Sequence, residues 1–210
     1  MHRYTFKPNE NMAVAQAYDV NASYKDLCAV CDAIRYTTTD DALRVLNGII
    51  AKRMPIPFRK FNKHMGARHE LHGRKGAFPV GAAKEVKKVV INAIANAEQK
   101  GLDTSNVMIA YATANKTHIE RRYPSKGSLS WGRGMYGFAA RVHSDIEYAK
   151  IEIALAEPEA IGKKPVKPRF MHAYAAKETK LSNTKQKKKT TQQQQQQQAS
   201  QAQTAKQAKT

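Results

Sequence analysis

Four groupings in this 210-residue chain have residue types and spacings that suggest chemistry. Cys28-x-x-Cys31 is spaced like half a zinc site or a redox dithiol, but these are the only two cysteines. A structural zinc site needs four ligands, usually two such pairs. A redox pair follows a strand and opens a helix, whereas this one falls mid-helix with Cys31 on the apolar face. Core packing is therefore the reading for both thiols. His64, His69 and His72 lie close together, yet their segment offers only Glu70 as a carboxylate, and its many cations repel another one. RNA contact or a plain solvated loop is the reading there. Asp40 and Asp41 suit a helix N-terminus, and nothing in the sequence makes them a catalytic dyad. Gly132-Arg-Gly-Met-Tyr-Gly137 matches G-x-G-x-x-G, but the dinucleotide fingerprint requires a surrounding βαβ unit, which the flanking residues do not suggest. No catalytic residue, metal or cofactor is expected.

What remains is binding chemistry, carried by cations and flat rings. The net charge is +19, and its placement says more than its size. Lys52–Lys88 holds 11 basic and 2 acidic residues, and Asn115–Arg141 holds 6 and 1. The stretch from Pro158 onward holds 12 and 2, while everything else carries 7 basic against 12 acidic. Solubility needs no such segregation. Two basic segments and a basic tail on a mildly acidic body are the electrostatic footprint of a nucleic-acid binder, with an anionic membrane surface the lesser alternative. There is no apolar run long enough to span a bilayer and no apolar leader, and two cysteines fit a reducing compartment.

Several elements must position these segments. Met1–Met12 reads as a loose polar lead-in, and Ala13–Val20 as a modest strand. With Asn21 or Ser23 as cap, Leu27, Val30, Cys31 and Ile34 line one face of a helix ending near Tyr36. Thr39-Asp40-Asp41 caps a second helix with Ala42, Val45, Leu46 and Ile49 as its stripe, which Pro55 and Pro57 end. Phe58–Pro79 reads as a long, glycine-punctuated basic loop, a length that in a compact domain usually means function. Val80–Lys100 is the strongest helix, with Ala83, Val86, Val90, Ala93 or Ile94, and Ala97 inward and Gly101 as its stop. Its Lys84, Lys87 and Lys88 extend the basic loop or simply face solvent.

Val107–Ala114, with Val107, Ile109 and Tyr111 on one face, and Lys150–Glu157, with Ile151, Ile153 and Leu155, read as strands. Between them Asn115–Ala149 is far too long for a tight turn. It reads as two arms of an extended hairpin with a glycine-rich tip, carrying Tyr123, Trp131, Tyr136 and Phe138 among its cations. Arms of about fifteen residues reach roughly 50 Å. Ile146 and Tyr148 stand in opposite parity to Ile151, which predicts a bulge near Ala149. Pro158–Thr210, with Lys185-x-Lys-Lys-Lys189 and the glutamine run Gln192–Gln198, has the composition of a disordered tail.

Four pieces, A-S-Y-K-D-L-C-A-V-C-D-A-I-R (22–35), P-I-P-F-R-K-F-N-K (55–63), N-A-I-A-N-A-E-Q-K-G-L-D (92–103) and K-I-E-I-A-L-A-E (150–157), carry a resemblance. Over roughly Ala15–Glu157 the chain resembles the large-subunit ribosomal protein family numbered twenty-two (seventeen in older eukaryotic naming), in its archaeal/eukaryotic branch. The resemblance implies an α+β body, three helices packed on a small antiparallel three-stranded sheet, with the long hairpin as an extension. It divides the chain into an rRNA-binding domain over 1–157, its hairpin at 115–149, and a tail over 158–210. It implies a non-enzymatic constituent of the large subunit in the cytoplasm that supports rRNA assembly. Its partners would be large-subunit rRNA, neighbouring ribosomal proteins and the nascent polypeptide in the exit tunnel, which the hairpin lines, with no membrane partner.

The rRNA contacts implied are Arg53, Arg59, Lys60, Lys63, His64, Arg68, Arg74 and Lys75, with Lys84, Lys87 and Lys88 beside them. On the hairpin they are Arg121, Arg122, Lys126, Trp131, Arg133 and Arg141. Three features depart from the family pattern: Tyr36 where a glycine usually ends the first helix, a tip richer in glycine and aromatics than the Arg-rich form, and the glutamine run. The alternative function is a free-standing RNA-binding chaperone or regulator using the same surfaces. An RNA-processing enzyme would need convergent carboxylates, and the sequence offers no such set.

Overall fold

The computed structural model describes residues 4–120, 146–168 and 170–171. Its body runs to Pro168; in the unit from Arg169 onward, only Phe170 and Met171, both helical, are described. The main sheet is antiparallel in the order β1 (Met12–Asn21), β6 (Ile146–Ala156), β5 (Met108–Glu120). Against it pack α1 (Tyr24–Ile34), on β5, and α3 (Val80–Gln99), on β1 and β6, while α2 (Thr39–Ile50) packs on α3. A second small sheet joins β2 (Ile56–Pro57), β4 (Arg74–Ala77) and β3 (Ala67–Arg68) in that order. A one-turn helix, α4 (Pro158–Ile161), follows β6. The protein is thus α+β with antiparallel sheets.

The helix stripes are inward as their periodicity predicts. Leu27, Val30 and Ile34, then Ala42, Val45, Leu46 and Ile49, then Ala83, Val86, Val90 and Ala93 are all fully buried. Ile94 stays half-buried, so Ala93 holds the inward position. Ser23 stands at the α1 N-cap without a side-chain bond. The α2 cap is one residue earlier than expected: Thr38 Oγ1 accepts from the Asp41 N–H at 3.3 Å, and Asp40 and Asp41 fill the first turn. The same helix stops at Ile50, before either proline, because Arg53 and Met54 turn back to donate to the Gly48 carbonyl at 2.9 and 3.1 Å. Gly101, at φ +72°, ends α3 as expected.

Tyr36 lies at φ +62°, the left-handed conformation that a glycine would adopt freely. Tertiary hydrogen bonds hold it there. Its N–H donates to the Ile109 carbonyl at 2.8 Å, its carbonyl accepts from the Val166 N–H at 2.8 Å, and the Ile109 N–H donates to Thr37 at 2.9 Å. The α1–α2 linker is thereby tied to the edge of β5. Residues 163–166, at the head of the expected tail, pass beside it, with Lys163 Nζ 3.2 Å from the Tyr36 hydroxyl.

Parity on the sheet departs from simple alternation in two places. Ile109 pairs with Leu155 but Tyr111 with Ala154, so Ala110 is an extra residue on β5. Ala112 and Ala114 then face the core, while Tyr111, expected beside Ile109, is 44% exposed and stacks on Phe6 at 4.7 Å. The slip expected near Ala149 is present, but the extra residues are on the neighbouring strands. They fall between Ala17 and Val20 of β1, where Asp19 has φ +50°, and between Lys116 and His118 of β5. Bulges on both flanks of Ala149 sharpen the local twist where the β5–β6 pair leaves the body. The two strands stay paired out to Glu120 opposite Ile146, beyond Ala114, the last buried residue of β5.

Within the described part of the lead-in, Thr5 is tied to the sheet. The Thr5 N–H donates to both carboxylate oxygens of Glu152 at 3.0 and 3.2 Å, and Asn115 Nδ2 donates to Thr5 Oγ1 at 2.9 Å. Glu152 is fully buried on the central strand and paired with Lys150, whose ammonium also lies over the Tyr18 ring at 4.9 Å. Burial pushes the Glu152 carboxyl up, but the hydrogen bonds from Lys150 and Thr5 outweigh it and hold the group below its ordinary range.

Candidate nucleic-acid interface

The basic segment after α2 is folded rather than a plain loop. Met54, Ile56, Phe58 and Leu71 are buried and anchor it to the body. Ile56 pairs with Ala77 and Pro57 with Gly76 on one side of β4; Ala67 pairs with Lys75 and Arg68 with Arg74 on the other. A Cβ on Gly76 would come 2.6 Å from the Ile56 carbonyl oxygen and 2.2 Å from Leu71 Cδ1, so only glycine lets β2, β4 and the 3-10 turn His69–Leu71 close together. His72 at φ +54° and Gly73 at φ +79° then reverse the chain into β4.

This scaffold holds its cations outward. Arg53, Arg59, Lys60, Lys63, His64, Arg68, Arg74 and Lys75 are all exposed, and among the described residues none of them forms an ion pair. Arg68 and Arg74 stand directly opposite each other across β3 and β4, an arrangement that like charges disfavour. Arg68 is held in place by an Nε bond to the Gly76 carbonyl at 3.2 Å and by the Phe78 ring, 5.3 Å from its guanidinium carbon. Glu70, half-buried, is the single acid between Arg53 and Lys84. Among the charges on the first turns of α3, Lys84 is exposed, Lys87 half-buried, and Lys88 pairs with Glu85 at 2.9 Å on the surface. The last is thus partly spent on its own helix.

Arg121, Arg122, Lys126, Trp131, Arg133 and Arg141 lie outside the described residues, as does the 132–137 glycine motif. At the base of that segment Lys116 pairs with Glu147 at 3.4 Å, and His118 stacks on Tyr148 at 4.5 Å. Phe61 is a residue that charge counting missed. It sits among the cations 44% exposed, and the only sequence signal was the second aromatic of F-R-K-F.

The remaining chemistry-bearing groups have structural places. Cys31 is buried, and its thiol is pushed up to about 12, first by burial and then by Cys28. Cys28 is half-buried with Sγ 3.6 Å from the Ala114 carbonyl. Among the described residues no three His, Cys, Asp or Glu side chains are grouped to hold a metal ion, and no helix is long and apolar enough to cross a membrane.

Comparison with known proteins agrees with this arrangement. The model of the family described as Ribosomal protein L22p/L17e matches residues 15–147. Large ribosomal subunit protein uL22 of Archaeoglobus fulgidus is 36% identical over 123 residues, 57% of this chain and 79% of that protein. The protein of the same name from Methanothrix thermoacetophila is 38% identical over 114 residues, covering 54% and 75%. That from Methanocaldococcus jannaschii is 33% identical over 146 residues, covering 69% and 92%. The match runs from within β1 through α1, α2, the small basic sheet, α3 and β5 to the start of β6, and with it the chain belongs to the ribosomal protein L22p/L17e family, on its archaeal/eukaryotic branch.

Proposed function

We propose that this protein is a structural, non-enzymatic constituent of the large subunit of the cytoplasmic ribosome, built in by binding large-subunit rRNA and supporting its assembly. The observation that carries the rRNA reading is the small sheet, which sets Arg68 opposite Arg74 with neither of them in an ion pair among the described residues. An anionic partner relieves the self-repulsion of such an array. Arg53, Arg59, Lys60, Lys63, His64, Arg68, Arg74 and Lys75 form the main contact, extended by Lys84, Lys87 and Lys88. The paired arms of β5 and β6 continue as a long hairpin through 121–145. Arg121, Arg122, Lys126, Trp131, Arg133 and Arg141 bind rRNA there, and the tip lines the nascent-peptide exit tunnel. Neighbouring ribosomal proteins and the passing polypeptide are its other partners. Residues 1–157 form the rRNA-binding domain, and 158–210 a basic, glutamine-rich tail.

The test is sedimentation of tagged protein with ribosomal subunits through a sucrose gradient after a high-salt wash. An isolated interface of about eight phosphate contacts loses roughly 10^3- to 10^5-fold in affinity between about 50 and 200 mM salt. A built-in constituent stays with the large subunit because folded RNA encloses it. Migration to the top of the gradient would instead identify a free-standing RNA binder and overturn the proposal.

A further inference from the structure

Phe61 is one of five large apolar side chains exposed among the described residues, and of these it alone sits on a left-handed backbone. A phenylalanine is normally buried, yet this one is 44% exposed, and its backbone sits at φ +55°, where a side chain is strained. The turn that presents it is well defined: Asn62 Nδ2 donates to the Phe58 carbonyl at 3.4 Å, and the Met65 N–H to the Asn62 carbonyl at 3.4 Å. Phe58, three residues earlier, is buried and roots the turn. The Phe61 ring is braced by the Tyr24 ring at 5.9 Å and 64°, and Lys25 Nζ lies over it at 5.8 Å. Arg59, Lys60, Lys63 and His64 flank it in the chain and are exposed.

From this we infer that Phe61 is a stacking platform for one unpaired nucleobase of the bound RNA, with Tyr24 and Lys25 of α1 fixing the ring. The inference rests on the RNA-binding reading and sharpens it: the basic surface reads a splayed base as well as phosphates. Cations around the ring favour a partner that carries negative charge next to a flat apolar face, and a nucleotide has both. An apolar protein partner would have to desolvate the same cations without compensation.

The experiment measures binding of the full chain to two probes, a short single-stranded oligoadenylate and an abasic oligoribonucleotide of the same length. Phosphate contacts and any contribution of the lysine-rich tail act on both probes, whereas stacking acts on one. Phe61→Leu is expected to weaken oligoadenylate binding about 5- to 150-fold, the range for losing one base–aromatic stack, and to leave abasic binding unchanged. Phe61→Tyr is expected to restore the preference for the base-bearing probe. Equal loss on both probes, or no loss with Phe61→Leu, overturns the platform while leaving the RNA-binding reading intact. Wild-type protein that binds neither probe overturns both.

Discussion

Replacing Glu152 by glutamine tests whether the buried Lys150–Glu152 pair holds the lead-in to the sheet. The substitution keeps the shape and one acceptor for the Thr5 N–H but removes the charge facing Lys150. The Lys150 side chain is only 13% exposed, and Glu152 is fully buried, so solvent cannot replace the lost partner. Breaking one side of a buried pair costs about 3–5 kcal/mol. The Tyr18 ring, 4.9 Å from the ammonium, and the amide oxygen retain part of the interaction, which places the loss near the lower end, about 3 kcal/mol. For a chain of this size that lowers Tm by roughly 6–12 °C in a thermal melt at neutral pH. The double variant Lys150→Met/Glu152→Gln is expected to recover most of it, because neither charge is then buried alone.

The pH dependence follows from the directions of the two shifts. Glu152 is held below its ordinary value, so its contribution is present above the ordinary carboxylate range and is lost as pH falls through the depressed value. Burial pushes Lys150 down, but its bonds to Glu152 and Tyr18 raise it overall. Its contribution is present below the ordinary lysine range and is lost as pH rises through the raised value. The Glu152→Gln penalty is therefore flat across neutral pH and shrinks only in acid or strong base. A drop of less than about 2 °C in the single variant, or a double variant no better than the single, would refute this account.

Three further outcomes are expected. Gly76→Ala forces a Cβ against the Ile56 carbonyl oxygen and Leu71; it should cost about 1–3 kcal/mol in urea unfolding and weaken RNA binding as the small sheet opens. In the native protein a thiol reagent should modify half-buried Cys28 well before buried Cys31, whose thiol is pushed up to about 12; mass spectrometry of the labelled peptide reads this directly. Ending the chain after Glu157 should cost about 1 kcal/mol in urea, because the Tyr36 carbonyl loses the Val166 N–H, whereas ending it after Pro168 should change the midpoint little.

Sequence alone determined those features that depend on local pattern. The stripes of α1, α2 and α3 were legible because a 3.6-residue period in apolar side chains has one low-energy outcome, burial of that face. Gly101 announced its helix stop, since a glycine at a helix end acts through its own backbone and not through long-range contacts. The exposure of the cations between Arg53 and Lys75 was likewise legible, because arginine and lysine stay in solvent unless paired.

Tertiary structure decided the rest. An inserted residue in β5 turned Tyr111 outward and left Ile109 inward, a register choice made by pairing with β6. Burial of Glu152, on a strand covered by the lead-in, came from a partner 147 residues away in sequence. Tyr36 could take a glycine's conformation because Ile109 and Val166, both remote in sequence, supply its hydrogen bonds. The basic segment became a small sheet through Gly76 and four buried apolar anchors, and that sheet, rather than the count of its charges, sets Arg68 against Arg74 and leaves Phe61 in the open. Periodicity reports which face of one element is apolar. Only the packing of several elements selects which polar groups are enclosed and which rings stay exposed.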